Sequence, residues 1–252
     1  MNSRRLLRFL LLGPIALIAC EPVDPATDRD RISQVSVINA LMVGRYDGTT
    51  PIGELMRRGD FGLGTLDHLD GELIVLDGKA FQARGDGAVV EVGPDATTPF
   101  AVVTPFEDDG AFAGPAAESL SALEASLEET IGRRNTFVAL RVHGTFDAIT
   151  FRSVPRQEPP YRPLAEVAKG QSVWTLTNLS GTMLGVRSPA WAGGLTVPGY
   201  HWHFLSDDRT VGGHVLDCRT PGVQVRFDLC REWDVILPES AGFDEADLTQ
   251  DL

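Results

Sequence analysis

Between Leu120 and Ile131 the apolar residues return every three or four positions, as Leu120, Leu123, Leu127 and Ile131, while Glu118, Glu124, Glu128 and Glu129 fall off that stripe. The period predicts an amphipathic helix over Ala116–Ile131, opened by Gly114-Pro115 and closed by Gly132, with the stripe given to core packing. Most of the remaining pattern is shorter and two-periodic. Gly71–Gly78, Lys79–Arg84 and Ala88–Val92 read as a meander, with Asp77-Gly78 as a tight hairpin turn. Val35–Val43 reads as a strand or an entry from strand to helix, Ile52–Arg58 as a short helix stopped by Gly59, and Phe100–Thr104 as a strand before Pro105. Phe137–His143 and Ala148–Ser153 read as two strands around Gly144-Thr145. Pro155, Pro159, Pro160 and Pro163 interrupt any sheet and set the boundary between two halves, 35–154 and 155–252. Beyond a short helix at Leu164–Lys169, strands are expected at Val173–Asn178, Met183–Ser188, Tyr200–Leu205, Val211–Cys218, Val223–Leu229 and Trp233–Leu237. The predicted fold class is α+β in two parts. An N-terminal mixed sheet carries the packed helix, and a C-terminal, mainly antiparallel sheet or barrel carries the chemistry.

The first residues follow a different pattern. Arg4, Arg5 and Arg8 precede an apolar run, Phe9–Ala19, too short to span a bilayer comfortably. The run ends in Leu17-Ile18-Ala19-Cys20, which resembles a bacterial lipoprotein signal. Residues 1–19 are then a signal peptide, Cys20 is the lipidated first residue of the mature chain, and residues 20–34 are a flexible tether. The chain is expected to be exported and held at a membrane by its lipid; a secreted soluble protein is the alternative. The net charge of −13 becomes −16 once three arginines leave with the signal, which disfavours nucleic acid as a partner. Cys218 and Cys230 could form a disulfide in an oxidising compartment, but a simple hairpin turning at Thr220-Pro221-Gly222 would not set them opposite, so no bridge is predicted.

Three of the five histidines, His201, His203 and His214, fall within fourteen residues. In a strand, His-x-His puts both rings on one face, about 6.5–7 Å apart along the chain. Ser206-Asp207-Asp208-Arg209 supplies turn chemistry. A turn centred on Asp208-Arg209 would set His203 opposite His214 and bring all three rings to one side. Three neutral imidazoles with a fourth position open describe a catalytic zinc site; ordinary histidines on a polar strand face are the other reading. Trp202, between two of them, should point to the opposite face, with little effect on a metal. Arg152 at a strand end could clamp a carboxylate, and Glu72 at a strand start could move a proton, although a surface ion pair and a strand-edge charge are the commoner uses of such residues. Asp67, His68 and Asp70 make an ordinary polar loop.

Longer motifs carry a resemblance. Gly59–Gly78 (GDFGLGTLDHLDGELIVLDG), Gly144–Asp147 (GTFD), Phe151–Tyr161 (FRSVPRQEPPY), Ser180–Pro189 (SGTMLGVRSP), Val197–Arg209 (VPGYHWHFLSDDR) and Gly212–Asp217 (GGHVLD) together resemble the α-acetolactate decarboxylases, from about Val35 to Leu248. The resemblance implies a zinc-dependent lyase that converts 2-acetolactate, a small-molecule substrate, to acetoin and carbon dioxide. It places the metal ligands on His201, His203 and His214, the active-site arginine on Arg152, and pocket residues on Glu72 and Thr65. A glutamate from the C-terminal tail falls nearest to Glu245, and a homodimer is suggested. Trp202 is bulkier than the usual residue of the family. A lipid-anchored metal- or ligand-binding protein without turnover is the alternative on the same scaffold, and a cupin-like oxygenase rests on His-x-His alone.

Overall fold

The computed structural model describes residues 30–249. The signal peptide, Cys20 and most of the tether lie outside the described residues. The rest is mostly β with a few short helices, arranged as two sheets.

The seven-stranded sheet runs in the order β15 (Glu232–Ile236), β1 (Arg31–Val35), β8 (Ala101–Thr104), β3 (Phe61–Thr65), β4 (Glu72–Leu76), β5 (Lys79–Ala83) and β6 (Val89–Glu91). Its one parallel pair is β1 with β15; the other pairs are antiparallel. The six-stranded sheet runs β11 (Ser172–Ser188), β12 (Gly199–Ser206), β13 (Gly212–Arg219), β10 (Phe137–Ser153), β14 (Val223–Cys230) and β9 (Gly110–Gly114). Because β10 also pairs with β11, four of its strands close into a barrel-like ring. A small pair, β2 (Thr50–Pro51) with β7 (Thr97–Thr98), stands apart. The helices are α1 (Ile38–Met42), α2 (Ile52–Leu55), α3 (Leu120–Ile131), α4 (Leu164–Val167) and α5 (Ala241–Asp244).

Four expectations change here. The tether ends earlier than residue 34: β1 starts at Arg31 because Ile32 is buried and Arg31 meets Glu232 across the parallel pair at 3.0 Å. The chain does not divide at residue 155. β9 and β10 join the second sheet, and β15 returns to the first. The strands expected on either side of Gly144-Thr145 are one strand, as are those on either side of Leu179. Gly144 lies opposite Gly181, and the Thr145 and Ser180 hydroxyls meet at 2.7 Å, so the β10–β11 ladder continues. What changes near residue 144 is the neighbour on the other edge of β10, from β14 to β13, and this is why the apolar alternation breaks there.

The fourth change concerns the helix. α3 starts after Ser119, whose hydroxyl caps the Ala122 amide at 3.2 Å, because Ala117 is already committed to backbone bonds with Thr220. Its buried Leu123 and Leu127 cluster with Val138, Leu140, Trp202 and Phe204 of the six-stranded sheet. The helix therefore covers the sheet that carries the histidines, not the N-terminal one. Cys218 and Cys230 are both buried and unbridged.

A buried carboxyl leaves a pH signature on stability. Asp228 of β14 is 1% exposed; Oδ2 accepts the Glu107 amide at 3.3 Å and Oδ1 has no partner. Burial raises the group to about 7, opposed by the Glu107 amide and helped by Asp109 and Asp30. The native chain thus keeps this proton after the unfolded chain has lost it near 3.8. The stability it contributes is complete below about pH 4 and lost as pH rises through about 7, on the order of 4 kcal/mol at most. Asp228→Asn is expected to raise the unfolding temperature at pH 8 and to leave it nearly unchanged at pH 4. Thermal unfolding in the two buffers checks this, and equal shifts at both pH values would exclude ionisation as the cause.

Candidate functional site

The hairpin β12–β13 turns through Asp207–Thr210, with Arg209 in the left-handed region (φ 59°). Ser206 tightens the turn, its hydroxyl bonding to the Asp208 carboxylate at 2.6 Å while its backbone N–H meets the Val211 carbonyl at 3.0 Å. This register sets His203 directly opposite His214. Period two along β12 then brings His201 to the same face, with ring centroids 5.0 to 5.4 Å apart among the three. One nitrogen from each ring lies within 4.8 Å of the others.

The three rings are held as neutral donors. Burial, followed by the Arg152 guanidinium, lowers His201 to about 4. Burial dominates the lowering of His203 and His214 as well, with the neighbouring ring charges adding to it. His203 Nδ1 donates to the Leu73 carbonyl of β4 at 2.8 Å, which fixes its tautomer and leaves the Nε2 lone pair free. That Nε2 is buried without a hydrogen-bond partner, and His201 Nε2 faces His214 Nδ1 at 3.2 Å. An orphaned imidazole nitrogen beside two that converge is the donor set a divalent cation takes.

Arg152, Glu72 and Thr65 gather around this face. Arg152 of β10 sits opposite His214. Its Nη1 donates to Gln171 Oε1 at 2.6 Å, while its Nε is buried without a partner. Glu72 starts β4, 9% exposed, with Oε2 3.5 Å from His203 Nε2. Burial pushes its carboxyl up to about 7, against the lowering effect of Arg152. Thr65 pairs with Glu72 across β3–β4, and its hydroxyl donates to the Gly71 carbonyl at 2.7 Å. A cavity of about 730 Å³ opens in front, lined by Thr65, Glu72, Arg152, His201 and His214. Its apolar wall includes Ile38 and Met42 of α1, Phe100, Leu164 of α4 and Val197. Both sheets contribute to the cavity.

Glu245 is not brought to this site. It is exposed at the end of α5 and does not line the cavity; the described part of the tail reaches the cavity at Thr249 instead. The Leu248 carbonyl, held by Asn39 Nδ2 at 2.9 Å, fixes the tail's approach. Gln171 and the Leu73 carbonyl escaped the sequence reading. A glutamine after Gly170 and a main-chain oxygen in a buried strand carry no local signal. Asp47, Asp67 and His68 form a second gathering of ligand-type groups. Tyr161 bonds to both Asp47 and His68 there, and the Gly48 amide holds Asp67 at 2.7 Å.

Comparison with known proteins converges on one family. Residues 32–250 match the family described as alpha-acetolactate decarboxylase. The alpha-acetolactate decarboxylase of Methanosarcina mazei is 44% identical over 223 residues, covering 88% of this chain and 77% of that one. That of Methylococcus capsulatus is 44% identical over 219 residues, covering 87% and 84%. The crystal structure of the Bacillus subtilis strain 168 alpha-acetolactate decarboxylase superposes with a TM-score of 0.85 at 36% identity, covering 88% of this chain and 94% of that one.

Proposed function

The chain belongs to the alpha-acetolactate decarboxylase family and is a carboxy-lyase, and from that premise we propose how its pocket converts 2-acetolactate to acetoin and carbon dioxide. The observation that carries the reading is the convergence of three neutral imidazoles, one with a buried, unpartnered nitrogen, beside Arg152 and Glu72. His201, His203 and His214 would hold a divalent cation, and zinc suits a neutral three-imidazole set with room beside it. Bound there, it supplies Lewis-acid stabilisation to charge that builds on the substrate's keto and hydroxyl oxygens.

The protein's own groups do the rest. Arg152, on a rigid strand and braced by Gln171, holds the substrate carboxylate through its planar fork and orients the bond to be broken. When that carbon–carbon bond breaks, its electron pair moves onto the former quaternary carbon and spreads into the ketone as an enediolate. Carbon dioxide is neutral and has no charge for the guanidinium to keep. Glu72 is the buried carboxyl on the site, and it delivers a proton to that carbon, giving acetoin. Delivery from one fixed strand position restricts it to one face. The wall of Ile38, Met42 and Phe100 receives the methyl groups and keeps water from competing as a proton source.

Acetoin formation by the purified protein tests the proposal. Turnover is expected to fall at least about 100-fold after chelator treatment, more than the loss of an outer supporting group costs, and to return with zinc. Metal uptake with no acetoin would favour the binding protein without turnover. Full activity after verified metal removal would overturn the metal reading.

A further inference from the structure

The back of β12 carries an unusual set of polar contacts. Between and beside the two histidines of this strand, Tyr200 and Trp202 point the other way, toward α3. Their rings stack at an interplanar angle of 4° with centroids 5.6 Å apart. The Trp202 indole N–H donates to Glu124 Oε1 at 3.0 Å, and the Tyr200 hydroxyl to Glu128 Oε2 at 3.3 Å. Glu124 and Glu128 are one helical turn apart, so a single helix face holds both. Both glutamates therefore contact the sheet although they fall off the leucine stripe.

This face is itself fixed. Arg187 of β11 is 5% exposed; its Nη1 donates to Glu128 Oε2 at 2.6 Å and to the Gly132 carbonyl at 2.8 Å, and its Nη2 donates to the Arg133 carbonyl at 2.8 Å. The guanidinium thereby ties the last turn of α3 to the strand beside β12, where Arg187 pairs with Tyr200. Trp202 in turn lies over Gly185, where a Cβ would come within 2.2 Å of the indole. The indole has room only because that position is glycine.

We propose that Glu124 and Glu128 of α3, acting through Trp202 and Tyr200, are positioning residues for the imidazoles of His201 and His203. The inference rests on the metal reading above. Its physical basis is the stiffness of an extended strand. Side chains alternate across β12, so a rotation or slip that frees the Trp202 face also moves the histidine face. Two hydrogen bonds and a stacked ring pair on one side therefore set the aim of two imidazoles on the other. Trp202 touches neither substrate nor metal, yet its N–H affects both ligands.

The test uses the full-length protein and zinc, in competition with a chromophoric chelator, together with the absorption bands of the cobalt(II)-substituted form. Trp202→Phe keeps one aromatic ring for the stack while removing the indole N–H together with the second ring; Glu124→Ala leaves the indole intact and removes only its acceptor. Each is expected to weaken zinc binding roughly ten-fold, the low end of what losing groups behind a ligand shell costs, and to shift the cobalt bands. Glu124→Gln, which still presents an oxygen, should restore both. If Glu124→Ala fails to fold, Trp202→Phe against wild type decides. Zinc affinity and cobalt bands unchanged while the unfolding temperature drops would show a helix anchor only and overturn the proposal. A wild-type protein that takes up no ion would instead overturn the metal reading, and this inference with it.

Discussion

Replacing His203 with alanine is expected to abolish ion binding and turnover together. This side chain is fully buried, its Nδ1 proton is committed to the Leu73 carbonyl, and its Nε2 has no protein hydrogen-bond partner. Removing one of three ligands should cost well over the roughly 10–100-fold that outer supporting groups cost. Acetoin formation should fall to the uncatalysed level. Metal content after dialysis and the acetoin assay read the two losses. The substitution also leaves the Leu73 carbonyl without its donor, at about 1–3 kcal/mol, so the far-ultraviolet dichroism and unfolding temperature must be read alongside. His143→Ala is the control: that ring is exposed and meets Asp207 at 3.2 Å on the surface, so metal content and activity should stay as they are. Retained metal in the folded His203 variant would remove this residue from the ligand set.

Arg152→Ala is expected to give the opposite pattern, with metal kept and turnover lost. The arginine contributes no ligand atom to the histidine trio, but it lines the same cavity and sits opposite His214. Losing a preorganised donor aimed at substrate charge costs about 10²–10³-fold in turnover. Its charge also acts on its neighbours. It lowers Glu72 and all three histidines, so its removal should move each of them upward. Arg152→Lys should recover little, because an ammonium cannot reproduce the planar fork and leaves Gln171 differently held. Steady-state kinetics with metal content verified in each variant checks this. Unchanged kcat/KM in metal-loaded Arg152→Ala would remove Arg152 from the mechanism.

The histidine face was legible because its cause is local. His-x-His within a strand and a turn of Asp208-Arg209 fix which rings share a side, and β12–β13 has that register. Trp202 on the far side followed from the same alternation, but its bond to Glu124 did not, because α3 was read against the wrong sheet. That error had a physical origin. A leucine stripe states that a helix is covered, not by what. The division at residue 155 failed similarly. Prolines mark where a sheet cannot continue, and they carry no information about strands such as β15 that rejoin a sheet begun some 200 residues earlier. Gln171 and the Leu73 carbonyl are distant in sequence from the groups they support, and Glu245 lies in a tail where sequence spacing carries no periodic constraint.

The pairing of β1 with β15 has a temporal side. Of the strands described, β1 is made before the rest of the larger sheet and the edge strand β15 that covers it is made after them, with Arg31 and Glu232 separated by 201 positions. A ribosome must release nearly everything before that border is sealed. Until then a row of main-chain donors and acceptors stands bare, inviting the wrong neighbour. Closing this border thus waits on two segments far apart in sequence finding each other.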